Sequence, residues 1–240
     1  MKALCLFLML ASASAYAVPC TTNLTLNSFL DTNNNTTRQY YDYVPSTTPT
    51  VLWVMLHGTQ PGTATALPCP FQRAAMQTLA NAHGILVLWP ISTFVGPPNN
   101  SWFWDAYSLC SIWGLTCPLD NDDSGFIAQL ITYYKSNYTQ ITKVYVAGMS
   151  SGAFMAHRVG VDSTDVTAVG AASGQIYALI TTNSMPRSRP IPVLMLNGDM
   201  DTTVPICGQT GRGWGSSSFP SSDTSIGYWS TMANGCNQTL

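Results

Sequence analysis

A mainly parallel β-sheet covered by helices on both faces is the α/β architecture this sequence predicts, on three observations. Short continuous apolar runs such as Val51 to Leu56 and Ile85 to Trp89 have the makeup of strands buried on both sides. Helix-compatible segments alternate with such runs, the order of repeated strand-helix-strand units. One run, Lys143 to Ala147, breaks at once into Gly148-Met149-Ser150-Ser151-Gly152 and then into a helix-compatible segment, Ala153 to Val159. In a sheet of this kind functional residues lie at the carboxyl ends of the strands.

At the N-terminus, Met1-Lys2, the apolar Ala3 to Leu10 and the small residues Ala11 to Ala17 have the charge, hydrophobic block and Ala-x-Ala exit of a secretory signal. The expected cut follows Ala17, leaving 18–240 as one domain. The apolar block is about half of what crosses a bilayer, so an exported protein with no membrane partner is expected. Cleavage removes Cys5 and leaves an even set, Cys20, Cys69, Cys110, Cys117, Cys207 and Cys236, which in an oxidising compartment suggests disulfides. Cys110 with Cys117 and Cys207 with Cys236 are candidate pairs. No Cys-x-x-Cys or Cys/His pair at ligand spacing occurs, so no metal and no cofactor are expected. Asn23, Asn34, Asn35, Asn99, Asn137 and Asn237 head Asn-x-Ser/Thr sequons and are candidate glycan sites.

The chain is 46% hydrophobic and only 8% charged, with a net charge of −2. Its surface is therefore covered by Ser, Thr, Asn and Gln, and no basic stripe exists for nucleic acid or anionic membrane. An uncharged or weakly charged substrate fits better, acted on by a monomer.

Taken in order, Asp31 to Thr37 reads as a turn, and Arg38 to Val44 as a strand with Tyr40 and Val44 pointing inward. Phe71 to Ala82 has helical periodicity, and Ser92 to Pro118, with Trp102, Phe103, Trp104, Tyr107 and Trp113, reads as a long aromatic loop region. Asp122 to Ser136 is expected as a helix, and Val166 to Ala172 and Pro192 to Asn197 as strands. Arg212 to Ser225, rich in Gly and Ser, is expected as a loop over one face.

The chemistry centres on Ser150. A serine on a tight strand-to-helix turn needs strained backbone angles, and Gly148 and Gly152 flank it because side chains there would collide with the adjoining strand or helix. The turn lifts the hydroxyl out of the sheet and sets the N–H of Ser151, at the positive end of the next helix, beside any oxyanion. A second oxyanion donor is expected after Leu56-His57-Gly58, at the N–H of Thr59 or of Gln60, with His57 holding that loop by hydrogen bonds. Asn197-Gly198-Asp199-Met200-Asp201-Thr202-Thr203-Val204-Pro205 is an acidic loop straight after a buried strand, where a carboxylate can orient a catalytic imidazole. Trp102 and Trp104 offer either an apolar wall for a substrate or plain hydrophobic cover for the sheet.

Together, the Tyr-x-x-Tyr-Val-Pro-like lead strand, Leu-His-Gly, Leu-x-Leu-Trp-Pro, Trp-Phe-Trp, Gly-Met-Ser-Ser-Gly and Asn-Gly-Asp-x-Asp-x-x-Val-Pro resemble secreted α/β-hydrolases of the polyhydroxybutyrate depolymerase and feruloyl esterase group. The likeness extends to Trp229 and Gly235-Cys236 and covers nearly the whole mature chain. It implies a serine ester hydrolase acting on polyester or plant cell-wall esters, with Ser150 as nucleophile and Asp201 as acid, Asp199 being the alternative. Asn197 stands where that group usually has His.

The base is the departure. In this fold the order is Ser, acid, His, yet His57, His83 and His157 all precede Asp201. His83 and His157 read as packing or capping residues. The expectation is an esterase domain that stops short of its last strand, helix and catalytic His, with an inactive secreted polymer- or carbohydrate-binding protein as the alternative.

Overall fold

The computed structural model describes residues 24–60, 74–96, 101–106, 122–176, 190–208 and 220–233. Nine strands run in chain order: β1 Thr25–Asp31, β2 Thr36–Tyr43, β3 Val51–Leu56, β4 Ile85–Pro90, β5 Phe94–Gly96, β6 Ser101–Phe103, β7 Lys143–Met149, β8 Ala168–Ala172 and β9 Val193–Leu196. Among the described residues the helices are α1 Ala74–His83, α2 Asp123–Asn137, α3 Ser151–Asp162 and α4 Ser222–Gly227, the last continuing into a π-helical turn over Tyr228–Ala233. Seven strands form one sheet in the order β1-β2-β4-β3-β7-β8-β9. Strands β4, β3, β7, β8 and β9 are mutually parallel, while β1 and β2 join as an antiparallel hairpin at one edge.

Alternation along the strands builds a core on each face. Leu52, Val54, Leu56, Leu86, Leu88, Val144 and Val146 point one way, into a cluster with Phe126, Ile127, Leu130 and Ile131 of α2 and Phe154 and Met155 of α3. Trp53, Val87 and Ala147 point the other way, onto Ala80 of α1. Strands buried on both sides have no polar face, which is why the sequence shows continuous apolar runs there.

Several elements depart from the sequence reading. The hairpin begins a strand earlier than expected, with β1 pairing along its whole length from Thr25↔Asp42 to Asp31↔Thr36. Val44 lies past the end of β2 and is 41% exposed, while Tyr40 is buried as expected. The region 92–118 is not all loop, since β5 and β6 form a small antiparallel sheet. Residues 222–225, expected within a loop, begin α4, whose N-cap Ser221 Oγ accepts from Thr224 N–H.

Burial also hides an ion cluster that the sequence did not announce. Arg38 of β2 is 1% exposed, pairs with Asp123, lies 3.7 Å from Asp31, and sits with its guanidinium carbon 4.0 Å over the Phe126 ring. Asp123 also accepts from Asp105 N–H at 2.8 Å. The cluster therefore ties the hairpin, α2 and the segment after β6 together. Burial pushes the Asp123 carboxyl upward and the Arg38 charge opposes it.

No helix among the described residues is long and apolar enough to cross a membrane. Cys207 is exposed and forms no disulfide with a described residue. Cys20, Cys69, Cys110, Cys117 and Cys236, with their candidate pairings, lie outside the described residues.

Candidate active site

Ser150 sits between β7 and α3 with φ 52° and ψ −123°, a left-handed conformation that costs a non-glycine residue strain. Its N–H donates to Ala172 O of β8 at 2.9 Å, which pins the turn to the neighbouring strand. The flanking glycines are required by space. A methyl group at Gly148 would lie 2.2 Å from Gly152 O, and one at Gly152 would lie 2.4 Å from Leu56 O and 2.5 Å from His57 O. Strand β7, helix α3 and the end of β3 thus meet without side chains between them. Ser150 is half-buried, and Ser151 opens the helix, so its N–H has no carbonyl one turn back to bond.

The loop after β3 closes on the same point. A Cβ at Gly58 would be 3.4 Å from the Ser150 Cβ, so the Gly58–Thr59 backbone runs directly beside the serine. Gln60 N–H is already committed to Trp102 O at 3.0 Å, in a bridge returned by Trp102 N–H to Gln60 O at 2.9 Å. Thr59 N–H, by contrast, makes no hydrogen bond to a described residue, so of the two candidate donors Thr59 is the better placed.

His57 braces this loop. Ser92 N–H donates to its Nε2 at 3.2 Å, so the proton sits on Nδ1, which donates to Gly58 O at 2.7 Å. Its ring packs on Trp104 with centroids 4.9 Å apart, and Trp104 Nε1–H donates to His57 O at 2.9 Å. Burial pushes the imidazole pKa down to about 4, against the backbone bond to Gly58. Trp104 is fully buried in the main core and lines no open surface, so the substrate-wall reading gives way there to the reading as cover. Trp102 is half-buried beside Gln60.

The acidic loop follows β9, two strands from Ser150, a span of about 10 Å at the usual strand spacing. Asp201 Oδ1 accepts from Thr203 N–H at 2.8 Å and Val204 N–H at 2.9 Å, closing a turn around the carboxylate. Its Oδ2 takes no hydrogen bond from a described residue. Asp199 is exposed and Asp201 half-buried, which favours Asp201 as a side chain held in a fixed direction.

Between nucleophile and acid lies a polar clamp with no signal in the sequence beyond ordinary Asn, Gln and Ser. Asn197 Oδ1 accepts from Gly174 N–H at 3.2 Å and its Nδ2 donates to Ser222 Oγ at 2.9 Å. Gln175, fully buried, donates to Pro205 O at 2.9 Å, and Ser225 Oγ accepts from Ile176 N–H at 3.0 Å. The segment after β8, the acidic loop and α4 are joined by these bonds.

None of the chain's three histidines faces the gap. His57 is committed as described. His157 of α3 is 0% exposed and accepts Trp229 Nε1–H on Nδ1 at 3.0 Å, and burial pushes its pKa down to about 4 with the Gly174 backbone opposing. His83 ends α1 just before β4 begins, at the opposite edge of the sheet.

Comparison with known proteins matches this fold. Solved structures that superpose on the chain include native sOPH (TM-score 0.57, 18% identity, 89% of this chain and 78% of that one) and a thermostable esterase (0.53, 18%, 76% and 48%). An acylaminoacyl peptidase of Pyrococcus horikoshii superposes with TM-score 0.51 and 13% identity over 78% of this chain and 34% of that one. The chain has the α/β-hydrolase fold. Within this fold the strand-to-helix turn at Ser150 carries the Gly-x-Ser-x-Gly sequence and the positive φ expected of a nucleophile elbow. In sequence the chain is 31% identical over 151 residues to feruloyl esterase B of Neurospora crassa. That match takes in 61% of the chain and 47% of the relative, so the chain spans about half the length of the curated enzyme it resembles. No protein-family model matches it.

Proposed function

We propose that this α/β-hydrolase is a secreted, monomeric serine carboxylic ester hydrolase acting through an acyl-enzyme on polyester or plant cell-wall esters. The observation that carries the reading is Ser150 at φ 52° on the open N-terminus of α3, with the Gly58 backbone against it. Ser150 Oγ attacks the ester carbonyl, and the oxyanion is held by the N–H groups of Ser151 and Thr59. The alcohol leaves, and water then attacks the acyl-Ser150 ester to release the acid. Asp201, its Oδ1 held by two backbone donors, keeps Oδ2 for the Nδ1–H of an imidazole base. The ester class comes from likeness to the feruloyl esterase and to the polyhydroxybutyrate depolymerase group.

A second reading is a catalytically silent polymer- or carbohydrate-binding protein, and the engagement of the His57 and His157 rings in hydrogen bonds with other groups supports it. One assay separates the two. Hydrolysis of p-nitrophenyl acetate by the 240-residue chain is expected to match that of Ser150→Ala in plain buffer, and to exceed it once imidazole is added. Excess over the Ser150→Ala control without imidazole would contradict the histidine assignments. No excess under either condition would leave the binding reading.

A further inference from the structure

The carboxyl edge of the sheet carries an unexpected amount of exposed aliphatic surface. Met149, the residue before Ser150, is 44% exposed, Leu196 at the end of β9 is 40% exposed, and in the acidic loop Met200 is 85% and Ile206 38% exposed. These four residues flank Ser150 and Asp201 in the chain. Met149 also faces the oxyanion side, because its Cε lies 3.5 Å from where a Gly58 Cβ would be. A carbonyl bonded to Thr59 and Ser151 N–H therefore leaves its acyl chain beside the Met149 thioether.

Charge narrows what this collar takes. Asp199 and Asp201 lie in it, and the described cations lie elsewhere. Arg38 is buried with Asp123, Lys135 pairs with Asp165, Arg158 pairs with Asp162, and Lys143 begins β7 at the far edge. Among the described residues, an acyl group bearing a carboxylate meets like charge and no cation. Of the two tryptophans that offer either a substrate wall or plain cover, Trp104 is fully buried and Trp102 is half-buried beside Gln60. Unbranched thioether side chains adapt to flexible aliphatic chains instead.

We propose that Met149 and Met200 are specificity-determining residues that select a neutral aliphatic acyl chain over an aromatic one. This rests on the ester-hydrolase reading of Ser150. With the chain half-wrapped by the collar, each added acyl methylene strengthens binding about twofold, roughly half the logarithmic effect of full burial.

The test uses methyl-13C methionine in the Ser150→Ala chain, with Met149→Leu and Met200→Leu identifying the two signals. Titration with ethyl acetate, ethyl butyrate and ethyl hexanoate should shift both signals, with affinity rising along the series, while methyl ferulate shifts them more weakly than hexanoate. Ferulate matching or exceeding hexanoate, or no dependence on chain length, would overturn the proposal. The two inferences fail separately. Chain-length-dependent shifts without Ser150-dependent hydrolysis in the imidazole assay would remove the catalytic reading and keep the collar, and hydrolysis without the shifts would do the reverse.

Discussion

Lowering the pH should destabilise the chain through His157. Its ring is fully buried on α3, holds Trp229 through Nδ1, and titrates at about 4 against 6.5 for a free imidazole. Between those values the unfolded chain binds a proton that the folded chain refuses. Stability is therefore highest above about pH 6.5 and falls as pH drops toward 4. The gap of about 2.5 pH units, at about 1.36 kcal/mol each, gives about 2 kcal/mol lost by pH 5 and about 3 kcal/mol by pH 4. His57 acts with the same sign, and the raised Asp123 carboxyl acts with the opposite sign. The comparison is with His157→Gln, which keeps an acceptor for Trp229 but does not titrate. Urea unfolding followed by tryptophan fluorescence at pH 7 and pH 5 should show wild type losing about 2 kcal/mol more than the variant. Parallel losses in the two proteins, or a His157 ring titrating near 6.5 by NMR, would refute the reasoning.

Two further substitutions probe the frame around the serine. Gly148→Ala places a methyl 2.2 Å from the backbone oxygen of Gly152, which cannot rotate away, and is expected to cost about 3 kcal/mol or more, read as a lower thermal midpoint. Arg38→Met strands Asp31 and Asp123 in the core without their cation and should cost about 3–5 kcal/mol, while adding Asp123→Asn to it should recover part of that loss in the same measurement.

The parts of the fold that could be read from sequence are those whose signal is local. Val51–Leu56 and Ile85–Pro90 advertise themselves because a parallel strand covered on both faces has no polar positions. The elbow is legible because two glycines and a serine are forced by contacts within a few residues and one neighbouring strand. β1 was missed because its alternating, partly exposed face resembles a polar lead-in until it pairs with β2. α4 was missed because Ser-rich segments read as loop, and only the Ser221 cap and the contact of Ser225 with Ile176 make it a helix end. For Trp104 the sequence leaves wall and cover both open, because aromatic composition says nothing about which way a ring faces.

Local sequence is enough for the buried parallel strands, the serine on its turn, the acidic loop, and the fact that every histidine precedes Asp201. How those pieces are coupled was set by the assembled fold. It committed Gln60 N–H to Trp102 and left Thr59, buried Trp104 against His57, locked His157 to Trp229, and bound the acidic loop to β8 through Asn197 and Gln175. The reason is physical. A turn is specified by sterics between near neighbours, whereas a donor's availability or a ring's burial depends on residues far along the chain that meet only once the sheet has formed.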